Sequence, residues 1–336
     1  MREALLYKQL EEKGVLCYLC SHNCRIANQK FGLCGVRANV DGILYTHTYG
    51  NVVAAHVDPI EKKPLYHFLP GSSSFSIATL GCNFRCGFCQ NWEISQETFK
   101  AQAHLEEEEF LPKDIVEQAI QSDCKSISYT YTEPTIFFEY AQEIAKLAKA
   151  KGLYNIFVTN GYMSSDCIEM IRPYLDAANI DLKFFSEASY KKYCNGSLNP
   201  VLDSIKLMKA LGIWVEITTL IIPNINDSEK ELSKIANFIA SVDKTIPWHV
   251  SRFHPDYKFK DYEVTPEDIL KKARIIGFEA GLEYIYAGNV SGWGTDTECY
   301  ACKKRLIKRK DFSIMEYNIK QGNCVYCNKI TPGVFA

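Results

Sequence analysis

The chain has 336 residues, 47% hydrophobic and 23% charged, with a formal net charge of −2. That balance fits a globular protein with a sizeable core, in one large domain or two ordinary ones. It excludes a global electrostatic pull toward nucleic acid or anionic membrane, and no stretch approaches the ~18–20 continuous apolar residues of a membrane span.

The first fourteen residues, MREALLYKQLEEKG, spread charges through a short apolar run. This is not a signal peptide; it predicts a short amphipathic helix and a cytoplasmic protein. Residues 1–70 form a Cys-rich N-terminal segment carrying Cys17, Cys20, Cys24 and Cys34. An apolar, β-rich stretch at 43–57 follows, and residues 58–64, DPIEKKP, read as a turn-rich connection.

From 71 to 292 short β-branched or aromatic runs alternate with longer helical patterns. Strands are predicted at 75–80, 126–131, 154–159, 178–183, 213–222, 248–253 and 284–289. Helices are predicted at 112–123, 134–151, 164–174, 199–211, 228–242 and 265–280. Pro134 suits the first turn of its helix, and Gly152 suits its end. The acidic run 106–109 is expected to face solvent. This alternation implies parallel βαβ units. The fold class is therefore α/β, a partial (β/α)6-type TIM barrel between small Cys-rich N-terminal and C-terminal modules. In a barrel the site lies at the C-terminal ends of the strands. Chemically capable residues fall there: Cys82, Cys86 and Cys89 after the first strand, Glu133 after the second, and Asn160 after the third. Lys183 ends the fourth, and His254 follows the sixth.

Residues 293–336 form a zinc-ribbon-like module, in which Cys299-x2-Cys302 and Cys324-x2-Cys327 have the spacing of two knuckles around one tetrahedral zinc. An auxiliary Fe–S cluster is the competing reading. The basic run 303–310 reads as a solvated face, or as a grip on a polymer such as RNA.

Fourteen cysteines are a large excess for a cytosolic chain, where clustered thiols point to metal or redox chemistry. Eleven fall into the three groups; Cys124, Cys167 and Cys194 read as ordinary buried thiols. Cys17-x2-Cys20-x3-Cys24-x9-Cys34 offers four soft ligands for zinc or for a second Fe–S cluster that could relay electrons, with His22 a possible alternative ligand. The central motif, GCNFRCGFCQNW over 81–92, places three thiols in eight residues. Three cysteines can hold three irons of a cubane and leave the fourth iron open for chemistry. The alternative is a closed zinc or ferredoxin site with a remote fourth cysteine.

This C-x3-C-x2-C spacing after a strand, with Phe88 before the third cysteine, resembles the radical SAM superfamily. Residues 58–71 resemble the segment before the cluster in relatives of pyruvate formate-lyase-activating enzyme. The closest match is to the AmmeMemoRadiSam system radical SAM enzymes. It is carried by the Cys17 to Cys34 pattern ending in CGVR, the YTEPTIFFEY stretch, and the C-terminal cysteine pairs with Pro332-Gly333-Val334. The resemblance implies a 4Fe–4S cluster on Cys82, Cys86 and Cys89 whose open iron chelates S-adenosylmethionine. An electron then splits the S–C5′ bond, and the 5′-deoxyadenosyl radical abstracts hydrogen from substrate.

It also implies roles around the cofactor. Glu133 would receive the ammonium group, although any carboxylate is favoured just before a helix. Asn160 follows the third strand, or is simply a turn residue; Val158 replaces the family's Asp, which puts a monovalent cation site in doubt. Lys183 would reach the carboxylate of S-adenosylmethionine and Asp181 its ribose or the cation site, unless the two form a structural pair. His254 would touch the ribose and Pro223 the adenine, against plain structural roles. The partners implied are an external electron donor such as flavodoxin or ferredoxin and a substrate that is a glycine of a protein, a small molecule or RNA. A non-catalytic zinc-binding adaptor is the rival of another class.

Overall fold

The computed structural model describes residues 1–96 and 110–335, so the acidic run 106–109 lies outside the described residues. Eight strands build the central sheet: β1 (Val52–Pro59), β2 (Ser73–Thr79), β3 (Ser126–Tyr129), β4 (Tyr154–Thr159), β5 (Ala177–Asp181), β6 (Trp214–Ile221), β7 (Trp248–Arg252) and β8 (Ile285–Gly288). Their spatial order is their chain order, from β1 at one edge to β8 at the other. β1 runs antiparallel to β2, with Val57 opposite Phe75, and every later pair is parallel. This is the expected partial barrel with one added antiparallel edge.

The parallel strands are buried on both faces, which explains why they read as continuous apolar or small-residue runs rather than alternating ones. All four residues of β3 are buried, as are the first four of β5. Helices Pro112–Gln121, Phe138–Ala150, Ser165–Ile171, Leu198–Ala210, Glu229–Val242 and Glu267–Glu279 occupy the predicted places. In the fifth of these, Leu232, Ile235, Ala236 and Ile239 form the buried stripe, and Ser228 caps it by accepting from Glu231 N at 3.3 Å. The helix predicted from 134 opens instead as a 3-10 turn, Pro134–Phe137, before the α-helix proper. An eight-residue helix at Glu187–Cys194 went unpredicted, because its apolar residues are few.

No α-helix forms at the N-terminus, only a 3-10 turn at Glu11–Lys13. Arg2–Glu3 pairs with Ile43–Thr46, and Tyr7–Gln9 pairs with Val15–Cys17. Leu6, Glu12 and Lys13 have φ near +55°, a left-handed conformation that ends any right-handed helix. A short isolated helix is marginal in water, so long-range strand pairing wins over local propensity. Val15, Leu19, Ile26 and Val36 share one apolar core with the barrel.

The C-terminal strands Thr297–Glu298, Arg305–Lys310 and Ser313–Tyr317 form a small sheet. The basic run therefore is not one solvated face. Leu306, Ile307 and Arg309 within it are buried, Arg309 only 6% exposed, with a register irregularity between Lys308 and Arg309. The chain then returns to the barrel: Leu69 N donates to Val334 O at 2.7 Å, and Val334 N donates to His67 O at 2.7 Å. Gly333 is required between them, since a Cβ there would stand 2.5 Å from His67 O. Among the described residues no helix is long and apolar enough to cross a membrane.

Candidate active site

A cavity of about 1030 Å³ opens at the C-terminal ends of the parallel strands. Pockets for single small ligands span about 300–1,000 Å³, so this one can take a cofactor and a substrate together. Cys82, Cys86 and Cys89 line it from the loop after β2. No fourth cysteine lines it among the described residues.

The loop is held from several sides. Phe84 N donates to Cys82 Sγ at 3.4 Å, Asn160 Nδ2 approaches the same sulfur at 3.9 Å, and Ser95 Oγ lies 3.1 Å from Cys89 Sγ. Phe88 is buried edge-on against Phe184 and Phe259. Burial pushes the Cys82 and Cys89 thiols up, while Cys86 is raised by a hydrogen bond to Cys194 and then by burial. Such thiols give up their protons to a soft metal rather than to water. Cys194 is fully buried and does not line the cavity, so it leaves the cavity side of the motif open. Three converging thiols, with no fourth cysteine lining the cavity among the described residues, fit a cluster with one exchangeable iron.

Glu133, fully enclosed after β3, organises the facing wall. Its Oε1 accepts from Thr135 N (3.1 Å), Thr135 Oγ1 (2.5 Å) and Thr159 Oγ1 (2.7 Å), and its Oε2 accepts from Asn160 N (2.8 Å). Burial raises its pKa, and those four bonds pull the other way. Asn160 is both turn residue and cavity residue: its Oδ1 accepts from Tyr162 N at 2.9 Å and its Nδ2 donates to Asn83 Oδ1 at 2.7 Å, tying β4 to the thiol loop. Asp181 and Lys183 reach the cavity as an ion pair of 2.7 Å. Burial opposes the charge on Lys183, but Asp181 and the neighbouring thiols outweigh it and raise its pKa. Val158 lines the cavity beside them.

Two expected residues lie elsewhere. His254 is exposed, and Pro223 is buried without lining the cavity. Other groups take the remaining wall. Asp58 binds Lys62 at 2.8 Å and Lys63 at 2.6 Å, and accepts a hydrogen bond from Tyr131. Those three partners overcome burial and hold the Asp58 carboxyl far below its ordinary range. Burial lowers Lys63 to about 8 against the pull of Asp58. Deeper, Glu216 accepts from Tyr66 N (2.9 Å), His67 N (2.8 Å), Trp214 Nε1 (3.0 Å) and His249 Nε2 (2.7 Å). Arg309 closes this end: it faces Glu61 at 3.5 Å, donates to Tyr66 O and Thr297 Oγ1 at 2.8 Å each, and lies over the Tyr66 ring at 4.2 Å. With Lys310, Asp311 and Phe312 it brings the C-terminal hairpin into the cavity wall. The position of residues 58–71 just before the cluster motif was the one sequence signal for the Asp58 group; nothing in the sequence marks Arg309 or His249 as cavity residues.

The outer cysteine groups differ in geometry. Cys299 and Cys327 Sγ lie 3.6 Å apart, and Cys302 and Cys324 Sγ 3.8 Å apart. Among the described residues these four thiols are the one set of three or more Cys, His, Asp or Glu ligand atoms within 4.8 Å of one another. Zinc–sulfur bonds of about 2.3 Å put tetrahedral sulfurs about 3.8 Å apart, so the set fits a single ion. The cavity thiols are spread more widely than that. Cys17 and Cys24 face each other across paired strands, with Cys20 and Cys34 nearby, behind the Cys82 loop and outside the cavity lining.

Residues 76–238 match the Radical SAM superfamily. Over its full length the chain is 43% identical to an uncharacterized protein of Methanocaldococcus jannaschii, covering 98% of both chains. A second protein of that organism, whose name proposes it as a glycyl-radical enzyme activating enzyme, is 30% identical, over 66% of this chain and 80% of its own. The pyruvate formate-lyase-activating enzyme of Clostridium pasteurianum is 24% identical, over 57% of this chain and 84% of its own. In fold, the chain is similar to a radical SAM methyltransferase from Sphaerobacter thermophilus, with a TM-score of 0.51, 13% identity and 71% of each chain covered. It is similar in the same way to Streptococcus suis SuiB bound to S-adenosylmethionine, with a TM-score of 0.51, 12% identity, and 68% and 53% covered.

Proposed function

The chain belongs to the radical SAM superfamily, and on that premise we propose that Cys82, Cys86 and Cys89 hold a 4Fe–4S cluster at which S-adenosylmethionine is cleaved reductively. Bound there, the cluster would supply the single electron for reductive cleavage of the sulfonium S–C5′ bond to methionine and a 5′-deoxyadenosyl radical. The observation that carries this reading is three thiols that, with no fourth cysteine in the cavity lining among the described residues, face Glu133, Asp181 and Lys183 across one cavity. Lys183 offers a cation to the carboxylate of S-adenosylmethionine, and Glu133 an anion to its ammonium group. Glu133 also fixes Asn160, and through it the thiol loop. Walls supplied by the barrel and by residues 309–312 would confine a radical that could otherwise take hydrogen from bystander C–H or S–H bonds. An external one-electron donor of low potential is required. Membership of an enzyme superfamily displaces the adaptor reading.

For the substrate we favour a glycine of a partner protein, supported by the activating enzymes among the relatives. A second reading, a small anionic molecule, draws support from Lys62, Lys63, Arg309 and Lys310 on the cavity wall. The four C-terminal thiols are proposed to hold a structural zinc ion. Under anaerobic reduction the wild-type protein is expected to form 5′-deoxyadenosine, and Cys86→Ala to form none because the cluster loses an anchor. Unchanged output from that variant would refute the assignment. Deuterium transfer into 5′-deoxyadenosine, from candidate substrates supplied one at a time, separates the two substrate readings.

A further inference from the structure

The N-terminal thiols take no part in the cavity, yet they are built into its support. Cys17 and Cys34 are buried, Cys20 and Cys24 half-buried. Cys20 lies within electrostatic reach of the other three. Beside them Arg37 is almost completely buried. Its Nη2 donates to Leu5 O at 2.8 Å and to Glu139 at 2.5 Å, but its Nε and Nη1 have no hydrogen-bond partner. Buried guanidinium N–H groups left unmet are costly. Cys17, Cys20 and Cys34 all lie within electrostatic reach of this cation, so thiolates bound to a metal centre would add negative charge on the side that Glu139 does not cover.

Spacing discriminates between centres. A single zinc ion needs sulfurs about 3.8 Å apart, and the C-terminal thiols meet that demand. No three of the N-terminal thiols come within 4.8 Å of one another. Like the cavity thiols, they are not gathered as tightly as ligands of one ion, which favours a centre whose irons each take a separate thiol.

Position gives the centre a use. Cys34 and its neighbours press directly on the catalytic loop. Gly81, at φ +93°, leaves room where a Cβ would stand 2.7 Å from Val36 Cγ1 and 3.1 Å from Cys34 O. Arg85 clamps the two loops, donating to Leu33 O and, at 2.6 Å, to Cys82 O. His22 Nε2 donates to Asn83 O at 2.8 Å. Leu33, 51% exposed, puts the outer side of this assembly at the surface.

We propose that Cys17, Cys20, Cys24 and Cys34 hold a second iron–sulfur cluster that takes single electrons from an external low-potential protein donor and passes them to the Cys82 loop. Each transfer oxidises the donor by one electron and returns the relay to its oxidised state; no bond is made and no proton moves. The destination of the electron rests on the function proposed above, whereas the existence of the centre does not.

The test uses full-length protein, reconstituted anaerobically with iron and sulfide. The triple variant Cys82→Ala/Cys86→Ala/Cys89→Ala is expected to retain iron, sulfide, broad visible absorption and a paramagnetic signal on reduction with dithionite. Adding Cys17→Ala and Cys24→Ala should remove all four. In wild-type protein the iron content should exceed the four atoms of one cubane, with a single zinc per chain. A triple variant without iron, or more than one zinc per wild-type chain, overturns the proposal. A triple variant that keeps all of the wild-type iron sinks the cavity assignment instead. For the relay, Cys17→Ala/Cys24→Ala should lower 5′-deoxyadenosine formation driven by reduced flavodoxin by about tenfold or more, while dithionite-driven formation stays close to wild type. Equal loss with both reductants, or no loss with either, overturns the electron-transfer role.

Discussion

Acid is expected to loosen the C-terminal segment through one side chain, His67. Its Nδ1–H donates to Pro332 O at 2.7 Å, so Nε2 must accept, from the Tyr286 hydroxyl at 2.6 Å. The ring is fully buried and has no place for a second proton. Burial, reinforced by Arg309 and His249 and only partly offset by Glu216 and Pro332 O, pushes its pKa down to about 4 from 6.5. The unfolded chain therefore binds the extra proton at higher pH than the folded one. Stability from this group is complete above about pH 6.5 and is lost as the pH falls from there toward 4. With each tenfold step worth about 1.4 kcal/mol, the full window amounts to about 3 kcal/mol, of which about 2 kcal/mol is gone at pH 5. His67→Asn keeps a donor for Pro332 O but does not titrate there. Urea unfolding of metal-loaded protein at pH 7.5 and pH 5 is the assay. The wild type should lose about 2 kcal/mol more than the variant between the two pH values, and acid effects on the cysteine sites cancel in the comparison. Parallel losses would refute the reasoning.

Two further outcomes follow from the same structure. Glu133→Ala strands four donors on the cavity wall and should destabilise the fold by about 3 kcal/mol while abolishing 5′-deoxyadenosine formation; urea midpoints within error of wild type would show that water or a neighbour replaces the carboxylate. Cys302→Ala should lose zinc and loosen the small core of Leu306, Ile307 and Ile319, seen as faster amide exchange there, while visible iron absorption persists; loss of that absorption in a folded variant would contradict a separate structural site.

Much of the barrel was legible because its strands are buried on both faces and its helices carry clear apolar stripes. The three cavity thiols were legible because soft ligands at tight spacing have few other uses. Glu133, Asn160 and Lys183 follow from the rule that barrel sites sit after strands, Asp181 follows from the family resemblance, and all four reach the cavity. The same rule gave His254, which is exposed and does not line the cavity. The N-terminal segment was misread because its pattern resembles a helix locally, and only pairing with residues far along the chain decides otherwise. Arg309 was hidden in a run of charges: its burial depends on Glu61, Tyr66 and Thr297, a set that strand alternation alone cannot assemble.

The hairpin carrying Arg309 joins two parts of the molecule that are far apart in sequence. Cutting the chain before Arg305 would spare every cavity thiol and every barrel strand, yet would take away one side of the reaction chamber. It would also leave Glu61 as a buried carboxylate without its countercharge. Were the four C-terminal thiols to hold the proposed zinc ion, its loss would disturb this side of the chamber while leaving the barrel strands in place.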